Sequence, residues 1–166
     1  MTIHPLSSES IGPAYMAIGS SVSASATWTS ANRAIYIPFF LEEPIVVVKL
    51  WSFNGATAAN NIDVGIYDAV GTKIVSSGST VQSGTSTLQE FDITDTLIGS
   101  GMFYLAAAMD GVTGTVFRLS GPGTTRIMQL GMAEQNTAFA LPATATFVTR
   151  SNDFTPIIGL TIRTLV

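Results

Sequence analysis

Residues 62–68 read IDVGIYD, and this alternation decides the fold class. Successive side chains of a strand point to opposite faces, so Ile62, Val64 and Ile66 share one face and Asp63 and Tyr67 take the other. Val70-Gly71 supplies a turn, and residues 72–77 return as the hairpin partner. Upstream, residues 45–53 (IVVVKLWSF) form a near-continuous β-branched and aromatic run. Such a run predicts a strand buried on both sides, with Trp51 in the core. Asn54-Gly55 and Asn60-Asn61 mark turns after it. Residues 32–40 (NRAIYIPFF) set Ile35, Ile37 and Phe39 on one face and Tyr36 on the other. Pro38 cannot donate to a ladder, which predicts an edge or a bulge there.

Downstream the same pattern continues. Residues 88–93 (LQEFDI) turn Phe91 and Ile93 inward. Residues 102–109 (MFYLAAAM) follow Gly99 and Gly101 and stop at Asp110-Gly111. Their Ala and Met suit a helix, but the short length, the punctuation and the aromatics predict a strand. Residues 116–119 make a short strand, Gly121-Pro122-Gly123 a turn, and residues 127–132 a strand or irregular wall. Leu141-Pro142-Ala143 breaks the chain again. Residues 157–163 (IIGLTIR) close it, with Ile158, Leu160 and Ile162 on one side. The expectation is an all-β protein without an amphipathic helix: an antiparallel sandwich of about eight strands, the jelly-roll number. It would span residues 31–166, behind an extended N-terminal arm of residues 1–30.

Composition limits what such a domain does. Of 166 residues only 11% are charged, against about 25% in an average soluble domain. Polarity comes instead from Ser, Thr and Gly. Weak self-repulsion makes a lone copy a poor colloid, which points to a surface covered by further copies or by a larger assembly. There is no apolar stretch of about 18 residues, so no membrane-spanning helix is expected. A net charge of −4, with dispersed arginines, opposes nucleic-acid binding. Residues 1–30 are rich in Ser, Ala and Gly. The run Ser23-Ala24-Ser25-Ala26 superficially resembles a signal-peptidase site, but no Lys or Arg precedes Arg33, so secretion is not expected. A polar arm frays unless tied down, either on a neighbour or back on its own domain.

Chemistry-bearing residues are sparse. Cysteine is absent and His4 is the lone histidine, so neither a zinc set nor a rigid nucleophile–base pair is expected. A glycosidase needs two carboxylates facing each other across a cleft. Asp63 and Asp68 have opposite parity, as do Asp92 and Asp95, while Glu90 and Asp92 sit side by side on a polar face. Asp68 and Asp110 flank turns, where Asp satisfies local backbone donors. No D-x-D-x-D-G run suggests calcium. Neither Gly99-Ser-Gly101 nor Gly121-Pro-Gly123 leads into a phosphate-binding helix. The expectation is therefore no catalysis, no cofactor and no metal. Aromatics remain as interface or glycan-stacking candidates. Tyr15 lies on the arm, Trp28 precedes the first strand, and Tyr36 and Tyr67 point away from their apolar neighbours, outward on a half-solvated sheet.

Four stretches carry a family likeness: NRAIYIPFFLEEP from residue 32, NNIDVGIYDAVG from residue 60, GSGMFYLAAAMDG from residue 99 and FALPATAT from residue 139. In this order they resemble a recurrent β-sandwich domain of tailed bacteriophages, found in head-decoration, head-fibre and tail-fibre proteins. The resemblance spans residues 32–163 and rests on structural residues. It implies a jelly-roll and a virion location, and it carries no catalytic residues over. The arm in place of a fibre shaft favours a stand-alone virion component. The expected function is a non-enzymatic decoration or cement protein that self-associates as a trimer. It would dock on the major capsid protein or other virion subunits through residues 1–30. A receptor- or cell-surface glycan-binding module of a fibre is the alternative.

Overall fold

A computed structural model describes residues 10–11, 22–119 and 123–163. The protein is all-β, built of antiparallel sheets packed as a sandwich. The first sheet has the order β1 (Ser10–Ile11), β14 (Ile158–Arg163), β4 (Ile45–Phe53), β8 (Leu88–Ile98). The second runs β12 (Val148–Thr149), β11 (Ala133–Gln135), β3 (Arg33–Leu41), β9 (Gly101–Met109), β5 (Asn61–Asp68), β6 (Lys73–Ser76), with β7 (Thr80–Val81) also on β5. A small third sheet joins β13 (Thr155–Pro156), β10 (Thr115–Leu119) and β2 (Val22–Thr27). Several strands predicted as single pieces are flanked by two-residue ladders, so the described residues hold fourteen strand segments.

The core lies between the first two sheets, and strand parity places its residues. Ile35, Ile37 and Phe39 of β3, Ile62, Val64 and Ile66 of β5, and Phe103, Leu105, Ala107 and Met109 of β9 face inward. Val47 and Leu50 of β4, Phe91 and Ile98 of β8, and Ile158 and Leu160 of β14 meet them. Residues 102–109 are a strand, paired on both sides by β3 and β5. Among the described residues β11 pairs with β3 only at Ala34, Ile35 and Tyr36. Pro38 therefore has β9 on one side and no strand on the other, the placement its missing N–H requires.

Three expectations are corrected. The run at residues 45–53 is not buried on both faces: Val47, Leu50 and Ser52 are buried, whereas Lys49, Trp51 and Phe53 are half-exposed on an outer face. Residues 127–132 are neither strand nor wall. A short helix, α1 (Thr124–Gln129), sinks Ile127 into the core and ends before Gly131, whose φ of 74° suits glycine. Residues 22–30 do not belong to an arm, because β2 pairs with β10 and Trp28 is buried in the core. Ahead of them, the backbone of Ser10–Ile11 pairs with Thr161 and Leu160, back on the chain's own first sheet.

The second sheet is apolar on its other face as well. Ala34, Tyr36, Tyr67, Ala106, Ala108 and Ala133 lie there, under Ala138, Leu141 and Ala145. Ala106 stands between Tyr36 and Gly65 in the ladder, and Gly65 is where Leu141 comes down: a Cβ at 65 would lie 2.9 Å from Leu141 Cδ1. Overfilling such a site costs about 1–3 kcal/mol. Ala106→Leu is therefore expected to lower stability by about that amount in urea titration. An unchanged midpoint would show that the overlying segment gives way freely.

Candidate functional site

Residues 136–147 cover the outer face of the second sheet without regular structure, so their backbone polar groups need individual partners. Asp63 Oδ2 accepts from the Leu141 N–H at 3.0 Å. Lys73 Nζ donates to the Leu141 carbonyl at 2.7 Å, and the Tyr67 hydroxyl donates to the Pro142 carbonyl at 2.6 Å. The Lys73 N–H donates to Ala143 O, and the Ala145 N–H to Gly71 O. The Tyr36 hydroxyl and the Thr146 N–H both donate to Gln135 Oε1. β5 and β6 thus hold the cover with their side chains and their backbone.

Asp63 is fully buried, and Ser77 and Ser76 hydroxyls approach its carboxylate at 3.3 and 3.5 Å. Burial raises its pKa above the ordinary carboxylate value, against the opposing pull of the Leu141 N–H, the serines and the Lys73 charge. Burial likewise pushes both phenols, Tyr36 and Tyr67, well above the usual tyrosine value.

These positions correct the candidate interface. Tyr36 and Tyr67 do point away from the first core, but the covering segment buries both, and their rings meet edge-on at 5.3 Å. Phe147 packs on Tyr36 and Tyr104. Trp28 is buried too: its Nε1 donates to Arg33 O at 2.8 Å, and its ring meets Phe154 edge-on at 5.5 Å. Phe154 is held by Arg150, whose Nη2 donates to Phe154 O and Asn152 Oδ1. Burial lowers the Arg150 pKa to about 10, so it stays charged at neutral pH. Tyr15 lies outside the described residues. Among the exposed large hydrophobics, which include Val70, Val81 and Leu97, Phe40 and Met102 stand directly opposite each other in the ladder, 52% and 47% accessible. They continue the apolar outer face past the end of its cover.

Asp68 serves its turn as expected, accepting from the Val70 and Thr72 N–H groups. Asp110 does not act locally: its carboxylate accepts from the backbone and side-chain amides of Asn61. Glu90 and Asp92 share an outer face and a single cation, Lys49, at 3.0 and 3.6 Å. Among the described residues no group of three or more His, Asp or Glu side chains is arranged to hold a metal. No described helix is long and apolar enough to cross a membrane. Sequence reasoning missed Asp63 as an anchor. Its only local signal is an acid on an otherwise apolar strand face opposite Ser76-Ser77. Comparison of the chain with family models, curated proteins and solved structures returns no match.

The anchor gives a pH signature. The pKa of a free Asp is about 3.9, and burial raises that of folded Asp63. A raised acid contributes stability that is full below about pH 3.9 and is lost as pH climbs through the folded value. Asp63→Asn is permanently neutral and still offers an oxygen to the Leu141 N–H. Its stability relative to wild type is expected to rise from about pH 4 to about pH 7 in urea titrations. A difference that falls with pH would show that the native contacts favour the carboxylate.

Proposed function

We propose that this chain is a non-enzymatic structural protein of a tailed-phage virion, a jelly-roll subunit that self-associates and binds other shell subunits. The observation that carries self-association is the exposed Phe40–Met102 pair. It extends a sheet face that is largely apolar and that residues 136–147 cover elsewhere. Contiguous apolar surface of this kind is what a subunit interface is made from. The strand order supports the jelly-roll reading. Eight of the strands form two facing four-stranded sets, β1-β14-β4-β8 and β3-β9-β5-β6. Successive strands β3, β4 and β5, and then β8 and β9, alternate between the two sets, and every described pairing is antiparallel. Two interlocked Greek keys have this arrangement. The virion assignment rests on the four stretches that resemble the phage domain, and the low charge supports a crowded, like-with-like environment.

Light scattering of the purified protein at micromolar concentration is expected to give an oligomer, a trimer in this reading. Phe40→Asp with Met102→Lys, an opposite-charge pair across the ladder, is expected to give a folded monomer, since both side chains are half in solvent. A monomeric wild type would sink self-association. Docking on the shell is tested by removing residues 1–21, which leaves β2 and the buried Trp28 in place. The shortened protein is expected to remain oligomeric and to lose co-sedimentation with purified phage shells.

A further inference from the structure

The outer face of the first sheet has a chemistry that self-association does not use. Three ladder rows cross it. Thr161, Lys49 and Asp92 form one row, and Gly159, Trp51 and Glu90 the next. Phe53 and Leu88 form the third, and Phe117 packs on Phe53 at 4.6 Å. At the centre, Gly159 leaves room that a side chain would fill: a methyl there would overlap the Trp51 indole. The indole therefore lies across the Gly159 backbone, and Trp51 is only partly buried there. Glycine inside a strand marks such a close approach. Around the ring stand Lys49, Glu90 and Asp92, joined by ion pairs of 3.0 and 3.6 Å yet exposed, with side-chain accessibilities of 36, 44 and 89%.

We propose that this face binds a neutral glycan, with a pyranose ring stacked on Trp51. A sugar ring is amphipathic in the matching way. Its axial C–H face carries weakly positive hydrogens that suit the negative face of an indole. Its hydroxyl rim needs both acceptors and donors, and Glu90 in the same row and Asp92, Lys49 and Thr161 one row away supply them. Charge selects a neutral ligand. Lys49 is already matched by two carboxylates, and Arg163 by Asp95 at 3.0 Å, so among the described residues both of these cations are already taken and an acidic sugar is not favoured. A protein partner would favour a centre depleted of charge, whereas three ionic groups adjoin this ring.

The chain has two tryptophans, and Trp28 is buried, so acrylamide quenching of the native protein reports on Trp51. Millimolar cellohexaose, maltohexaose or chitohexaose is expected to protect the fluorescence. By calorimetry on the same sugar, Trp51→Ala is expected to bind about tenfold more weakly. Trp51→Phe, which keeps a ring on Gly159, is expected to retain most of the affinity and the melting temperature. Absence of protection by all three sugars would overturn the proposal. So would equal affinity in Trp51→Ala. A Trp51→Ala variant that changes the oligomer size in light scattering would instead make this face an interface between copies, and would overturn it too. The Phe40 and Met102 substitutions lie on the other sheet, so either reading can fail alone.

Discussion

The structure depends on a sheet that must be dry on both sides. An antiparallel sheet ordinarily packs one face on a core and leaves the other wet. Here β3, β9 and β5 place large aliphatic side chains on the inner face and alanines and tyrosines on the outer one. That outer face cannot stay in water without cost, so the chain must supply a second cover. The alanines at 106 and 108 and the glycine at 65 keep the face low, which lets residues 136–147 lie close to it. The small residues of β9 therefore do not mark a weak strand. They set the depth of a second, thinner core.

A cover made of irregular backbone brings its own polar groups inside. Each has to be matched, because an unpaired buried amide or carbonyl costs about as much as a lost hydrogen bond. Asp63, Lys73, Tyr67 and Gln135 meet that demand from the strands beneath and beside the cover. This accounts for a carboxylate on an apolar face. Asp63 is held there by the donors it satisfies, and its burial is the electrostatic cost of fixing the cover in one register. Past Phe147 the chain pairs with β11 at the other edge of the sheet, and the apolar face runs on uncovered to Phe40 and Met102 in solvent.

How much of this was legible in the sequence follows from which forces are local. Parity is local, so the inward sets of β3, β5, β8 and β14 could be read from alternation alone. The strand at residues 102–109 also emerged, despite its helix-forming alanines, because glycines and Asp110 bound it. What covers a face is not local. Tyr36 and Tyr67 were read onto the correct side of their strands and wrongly given to solvent, because the segment that buries them has no periodicity and lies about 70 residues or more away from Tyr67 in the chain. Trp51 failed the opposite way. Its apolar run suggested a strand buried on both sides, but the outer half of that run is a half-exposed aromatic face, and the decisive residue, Gly159, lies on the neighbouring strand. The short helix at residues 124–129 is a single turn and a half, too short to show a helical period.

The scarcity of charge takes on a sharper meaning once partners are known. Arg33 sits against Glu134, Lys49 against Glu90 and Asp92, Arg118 against Asp153, and Arg163 against Asp95. Arg150 and Asp63 are buried outright. Pairing and burial thus consume much of an already small complement of ions, and the field that keeps copies apart is little more than that of the small net charge. Solubility then rests on hydroxyl and amide groups, which hydrate a surface but do not repel a like one. A surface of that kind tolerates close packing against its own copies and against hydroxyl-rich ligands. The exposed Phe40–Met102 end and the partly exposed Trp51 face lie on opposite sheets of the sandwich. One side can therefore be occupied by assembly while the other stays open to solvent.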